Sequence, residues 1–193
     1  MELPRIGPQL PKISLEECKI VIVGEAPGKD EIPVGYPFVG RAGRLLDDIL
    51  NDAGIVRDEC YITNVFMIRP PDNKVAHFFV SPTSAHKNNI GCCRDLPMFS
   101  GMYLRTEFFG EIARLTEEIE KLNPRVIITL GNTPLWAFTG LGGGITQVHG
   151  KPYESVLVPT ATIVPTYHPA YILRNNEERP EMVKDLILAK RFI

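Results

Sequence analysis

Apolar positions along the chain alternate between two periods. Residues 19–23 form a short β-branched run closed by Gly24, and residues 60–65 and 125–130 are two more such runs. Mostly apolar stretches of this length predict strands buried on both faces. Between them the spacing becomes helical. Over residues 40–53, Leu45, Leu46, Ile49 and Leu50 share one face, and Gly54 supplies a stop. Over residues 105–122 the same is true of Phe108, Ile112, Leu115, Ile119 and Leu122, and Asn123-Pro124 ends the run. A further helix is expected after Gly131-Asn132-Thr133, with Pro134 in its first turn. Residues 155–158 and 161–165 read as paired strands joined at Pro159-Thr160. Residues 178–192 read as an amphipathic helix with Met182, Leu186, Ile187 and Ala189 inward. Residues 69–103 are broken by Pro70, Pro71, Pro82, Gly91, Pro97 and Gly101 and read as one long irregular segment, the kind of loop that is usually functional or mobile. Strand and helix alternation predicts an α/β sandwich with a mainly parallel sheet, whose ligands bind at the carboxyl ends of strands. No repeat or linker divides the chain, so residues 1–193 are expected to form a single domain.

Composition narrows the class. The chain has 193 residues, 44% apolar and 23% charged, enough for a sizeable core. Its longest apolar runs are strand-sized, so no membrane span is expected. The amino terminus has no signal-peptide pattern, and a soluble, cytoplasmic protein follows as the expectation. A net charge of −2 argues against a protein that coats nucleic acid non-specifically. The charge is uneven, however: residues 66–105 balance to +3 and residues 106–122 to −3, which leaves local contact with a polyanion open. The four cysteines, Cys18, Cys60, Cys92 and Cys93, contain no C-x-x-C pair. Reduced thiols and no metal site are expected.

Three polar motifs fall where strands should end. Gly24-Glu25-Ala26-Pro27-Gly28 follows the first strand. It is neither a Walker A loop nor a dinucleotide fingerprint, and Glu25 would repel a bound anion. The loop suits a neutral ligand, or a reaction that builds positive charge beside a carboxylate; a plain strand-to-helix turn is the alternative. Asn64 ends the second strand, and its amide pairs a donor with an acceptor as the edge of a nucleobase does; on its own, the residue reads first as an Asn that caps or turns the backbone. His168, in Tyr167-His168-Pro169-Ala170, can donate to an oxyanion or can be a structural histidine. Tyr171, Leu173 and Arg174 follow it as a set suited to wedge and clamp a nucleic-acid backbone. Phe38, in a loop rich in Gly and Pro, can stack on a flat ligand or plug the following helix.

Together these residues resemble the uracil-DNA glycosylase superfamily, and its family four most closely. The resemblance rests on Gly24-Glu25-Ala26-Pro27-Gly28, Tyr36-Pro37-Phe38-Val39-Gly40-Arg41-Ala42-Gly43, Tyr61-Ile62-Thr63-Asn64-Val65, Arg69-Pro70-Pro71-Asp72-Asn73, Leu130-Gly131-Asn132 and His168-Pro169-Ala170, in family order from about residue 19 to 176. It implies a three-layer α/β/α sandwich with a central, mainly parallel four-stranded sheet. It implies a DNA glycosylase that flips out a base, uracil or a modified pyrimidine, and hydrolyses its glycosidic bond. A catalytically silent DNA-binding relative is the alternative. The implied catalytic residues are Glu25 and His168. Gly24, Ala26, Phe38 and Asn64 are implied to bind the base, and Arg41, Arg69, Tyr171, Leu173 and Arg174 to bind single- or double-stranded DNA. A monomer is expected. Typical family-four members hold a four-iron, four-sulfur cluster on four cysteines. Here Ile68 stands at the third ligand position and only Cys18 precedes the first strand, so no cofactor is expected. Residues 75–103 look like an insertion relative to typical members.

Overall fold

A computed structural model describes residues 3–193. In chain order its strands are β1 (Ile20–Gly24), β2 (Cys60–Asn64), β3 (Phe79–Val80), β4 (Cys92–Cys93), β5 (Tyr103–Arg105), β6 (Val126–Leu130), β7 (Tyr153–Glu154) and β8 (Thr162–Thr166). Its helices are α1 (Arg41–Asp52), α2 (Pro82–Lys87), α3 (Phe109–Leu122), α4 (Asn132–Thr139), α5 (Ile145–Val148), α6 (Pro169–Ile172) and α7 (Arg179–Ala189).

The central sheet runs β2-β1-β6-β8-β7. Its first four strands are parallel, which explains why β1, β2 and β6 are buried along their whole length and mostly apolar. Alternate residues serve opposite layers. Val21 and Val23 of β1 join the core under α3 and α4, whereas Ile20 and Ile22 join the core under α1 and α7. Leu46, Ile49 and Leu50 of α1 and Met182 and Leu186 of α7 fill one layer; Ile112, Leu115 and Ile119 of α3 and Trp136 and Phe138 of α4 fill the other. The expected three-layer α/β/α sandwich is the observed one. Both open edges are protected. The amino-terminal segment bridges β2 through Gln9 and Ile62, and the two-residue β7 closes the far side.

Several elements differ from expectation. The sheet has five strands, not four, because Tyr153–Glu154 adds an antiparallel edge to β8. Residues 155–158 are not that partner: Ser155 Oγ accepts the N–H groups of Leu157 and Val158 and curls the chain into a turn. Residues 69–103 are not wholly irregular. They contain α2, capped by Ser81, and two strands of a small antiparallel sheet ordered β3-β5-β4. This sheet is assembled around buried Leu104, which faces Phe79 and Cys93 in register. Arg105 therefore ends β5 rather than opening a helix, and α3 starts only at Phe109. In α7, Met182, Leu186 and Ala189 point inward as expected, but Ile187 is 45% exposed. Among the described residues, no helix is long and apolar enough to cross a membrane.

Candidate active site

Four parallel strands end side by side, and each delivers one polar side chain to the same place. Asn64 closes β2, Glu25 follows β1, Thr133 opens α4 after β6, and His168 follows β8. A cavity of about 260 Å³ lies across these ends, lined by Glu25, Ala26, Phe38, Asn64 and His168 among others. Gly24 sits beneath it in register with Asn64. Its role is steric: a Cβ at Gly24 would stand 2.3 Å from Asn64 Oδ1 and 2.6 Å from Phe38 Cζ. Only glycine lets both side chains reach the pocket floor.

Phe38 is held by its surroundings in an unfavourable backbone conformation, with φ of 58°. The loop is fixed on both sides of it. Arg57 Nη2 donates to Pro37 O at 3.1 Å, and Val39 N–H donates to Glu31 Oε1 at 3.3 Å. Helix α1 approaches so closely that a Cβ at Gly43 would fall 1.8 Å from Phe38 O. The Phe38 ring consequently lies 5.7 Å from the His168 ring, tilted by 38°. Asn64 is fixed through its backbone. Arg114 Nη2 donates to Asn64 O at 2.8 Å and to Val65 O at 2.9 Å, and its guanidinium also pairs with Glu111 and Glu118.

Burial shifts both ionisable walls toward their neutral forms. It raises the Glu25 carboxyl above the usual carboxylate range, and the hydroxyl of Thr133 works the other way by donating to Glu25 Oε2 at 2.5 Å. It pushes His168 down to about 4, with Arg174 contributing in the same direction. His168 Nδ1 accepts from Ala170 N–H at 3.1 Å. That bond assigns the proton of the neutral ring to Nε2, which is left to donate.

The sequence-predicted residues divide into groups. Glu25, Ala26, Phe38, Asn64 and His168 share the pocket, with Gly24 under its floor. Tyr171 and Arg174 line an adjoining groove of about 670 Å³, which also borders Glu25 and His168. Leu173 is exposed next to them, at 41%. Arg41 and Arg69 line neither space: Arg41 is exposed at the start of α1, and Arg69 Nε donates to Asn73 Oδ1 at 2.8 Å. Sequence reasoning missed Glu31, Asn73 and Thr133. Asn73 borders both spaces, and Glu31 accepts from Gly28 N–H at 2.9 Å and shapes the loop. Asn73 ends a quoted motif and Thr133 directly follows another, so proximity was the available signal; Glu31 had none.

The cysteines do not fit a four-cysteine iron–sulfur cluster. Cys18 and Cys60 are buried and donate to backbone carbonyls beside β1 and β2 of the central sheet. Cys92 and Cys93 lie on β4 of the small sheet, and the backbone of Ile68 bridges Arg5. Among the described residues, no three His, Cys, Asp or Glu side chains are grouped to hold a metal ion.

A type-4 uracil-DNA glycosylase of Thermotoga maritima is 38% identical over 180 residues, covering 92% of this chain and 79% of that protein. Another, from Archaeoglobus fulgidus, is 33% identical over 181 residues, covering 91% and 77%. A DNA polymerase of Bacillus phage SP01 is 27% identical over 172 residues, which are 89% of this chain and 15% of the polymerase. The family model of the uracil DNA glycosylase superfamily matches residues 11–190, and the chain belongs to that superfamily.

Proposed function

We propose that this chain is a DNA glycosylase that removes uracil from DNA, with Glu25 and His168 as its catalytic residues. The observation that carries the proposal is their placement: a carboxyl and an imidazole border one pocket, beside a ring that can stack on a base and an amide that can read its edge. Breaking the bond between sugar C1′ and base N1 leaves the electron pair on the base and positive charge on the sugar. The His168 Nε2–H donates to the base carbonyl oxygen where negative charge collects, and the Glu25 carboxylate stabilises the sugar cation. A water held on that carboxylate adds its oxygen to C1′ and gives up its proton to Glu25. Phe38 stacks on the flipped base, Asn64 pairs with its polar edge, and Ala26 and Gly24 bound the pocket. Tyr171, Leu173 and Arg174 fill the gap in the strand and hold its phosphates, with Arg41 and Arg69 on the flanks. We read the protein as a cytoplasmic monomer of one domain.

The test is release of free uracil from an oligonucleotide containing one uracil, single-stranded and duplex, read together with strand cleavage at the abasic product. Glu25→Gln should lower the single-turnover rate by roughly 10²–10³-fold while leaving DNA affinity within a few-fold. Binding without abasic product in the parent protein overturns the enzymatic reading and leaves the silent DNA-binding one. Full activity in Glu25→Gln overturns the role of the carboxylate.

A further inference from the structure

The turn between β6 and α4 carries a quoted motif, Leu130-Gly131-Asn132, for which the proposed chemistry has no use. It backs both walls of the pocket. At Gly131, where φ is +93°, an added Cβ would stand 3.3 Å from His168 Cβ. Two residues later Thr133, fully buried, directs its hydroxyl to the other wall and donates to Glu25 Oε2. Thr133 spends its proton on a carboxyl 108 positions away in the chain.

We propose that Thr133 is a positioning residue for the reaction: its hydroxyl fixes the orientation of the Glu25 carboxyl and favours the ionised form. The proposal rests on the reading of Glu25 given above. A hydroxyl that donates to a carboxyl oxygen favours the carboxylate over the carboxylic acid at the accepting position. The other groups facing Glu25 are accounted for. Glu31 and His168 line the same pocket. The Glu31 oxygens accept from Gly28 and Val39 N–H, and His168 Nδ1 accepts from Ala170. Arg174 borders the adjoining groove, and the uncharged Asn73 borders both spaces. Thr133 is, among the described residues, the hydrogen-bond donor to that carboxyl.

Three variants test this: Thr133→Val removes the hydroxyl and keeps the shape, Thr133→Ala removes both, and Thr133→Ser keeps the hydroxyl. The Glu25 carboxyl carbon is followed by NMR in glutamate-labelled protein, assigned through Glu25→Gln, and the pH profile of single-turnover uracil release is recorded beside it. Thr133→Val should move the Glu25 titration upward by roughly one pH unit or more, and the acid limb of the rate profile by the same amount. Near that limb the rate should fall about ten-fold. Thr133→Ser should stay close to the parent in both. Thr133→Ala replaces Thr133→Val if the latter does not melt cooperatively at pH 7. An unmoved titration in the hydroxyl-free variant overturns the proposal, including where the rate drops equally at every pH. Full activity in Glu25→Gln would instead overturn the role of Glu25, and the NMR titration would still judge Thr133.

Discussion

Glu25 and His168 face each other across β6, and burial pushes both toward neutrality, yet they are held differently. The imidazole has one backbone N–H on Nδ1 and a cation in the adjoining groove, so its shift to about 4 is reinforced. The carboxyl has one hydroxyl opposing its shift. One wall is therefore a fixed neutral donor at any ordinary pH, and the other is the wall whose charge state is finely set. An oxyanion stabiliser benefits from constancy, whereas a group that supports a cation must be ionised to act. The division assigns the acid limb of any pH–rate profile to Glu25.

The largest effect that can break this comparison comes from His168→Gln. Loss of the Nε2–H donor should lower kcat by roughly 10²-fold with little change in KM, because the bond strengthens only as charge collects on the base. The acid limb should remain where it was. Its disappearance in His168→Gln would mean that the imidazole, not the carboxyl, titrates there.

A smaller effect appears in stability. His168 takes up its proton at about 4 in the fold against 6.5 ordinarily. As pH falls, the unfolded chain is protonated first, so the stability associated with the neutral ring is present above 6.5 and is lost as pH drops toward 4. At pH 5 the loss is about 2 kcal/mol for this one group. His168→Gln has no such titration, so between pH 7 and pH 5 it should gain about that much relative to the parent in urea unfolding. Parallel pH dependence in the two proteins would place the imidazole in a more aqueous setting than the fold indicates.

Glu25 and Asn64 were legible because they end or follow the mostly apolar runs of β1 and β2, and His168 because it follows the strand segment that closes at Pro165. β1, β2 and β6 have no polar residue in their centres other than threonine, and a parallel sheet buried on both faces requires that pattern. The small sheet was not legible. β3 and β4 are two residues long and β5 three, too short to show a period, and they form because Phe79 and Leu104 are buried together against the main domain core. β7 was missed for the same reason, and the true turn at Ser155 was read as a strand from its apolar neighbours. Thr133 was unreadable as a functional residue because Pro134 beside it already explained the segment as a helix start. Its partner lies across the sheet and has no trace in local spacing.

The smallest expected effect separates the groove from the pocket. Arg174 is exposed, so its influence on His168 acts through solvent and must weaken with salt. In Arg174→Gln the imidazole should titrate slightly higher than in the parent at low ionic strength, and the two should converge at 1 M salt, as read by NMR of the ring. The logarithmic salt dependence of DNA binding should become shallower by about 1 if the guanidinium neutralises one phosphate. Because the ring is neutral at pH 7 in both proteins, kcat there should be unchanged and the loss confined to KM. A drop in kcat at pH 7 would show that the cation does more than hold the strand, and that the two walls are not secured independently of the groove they border.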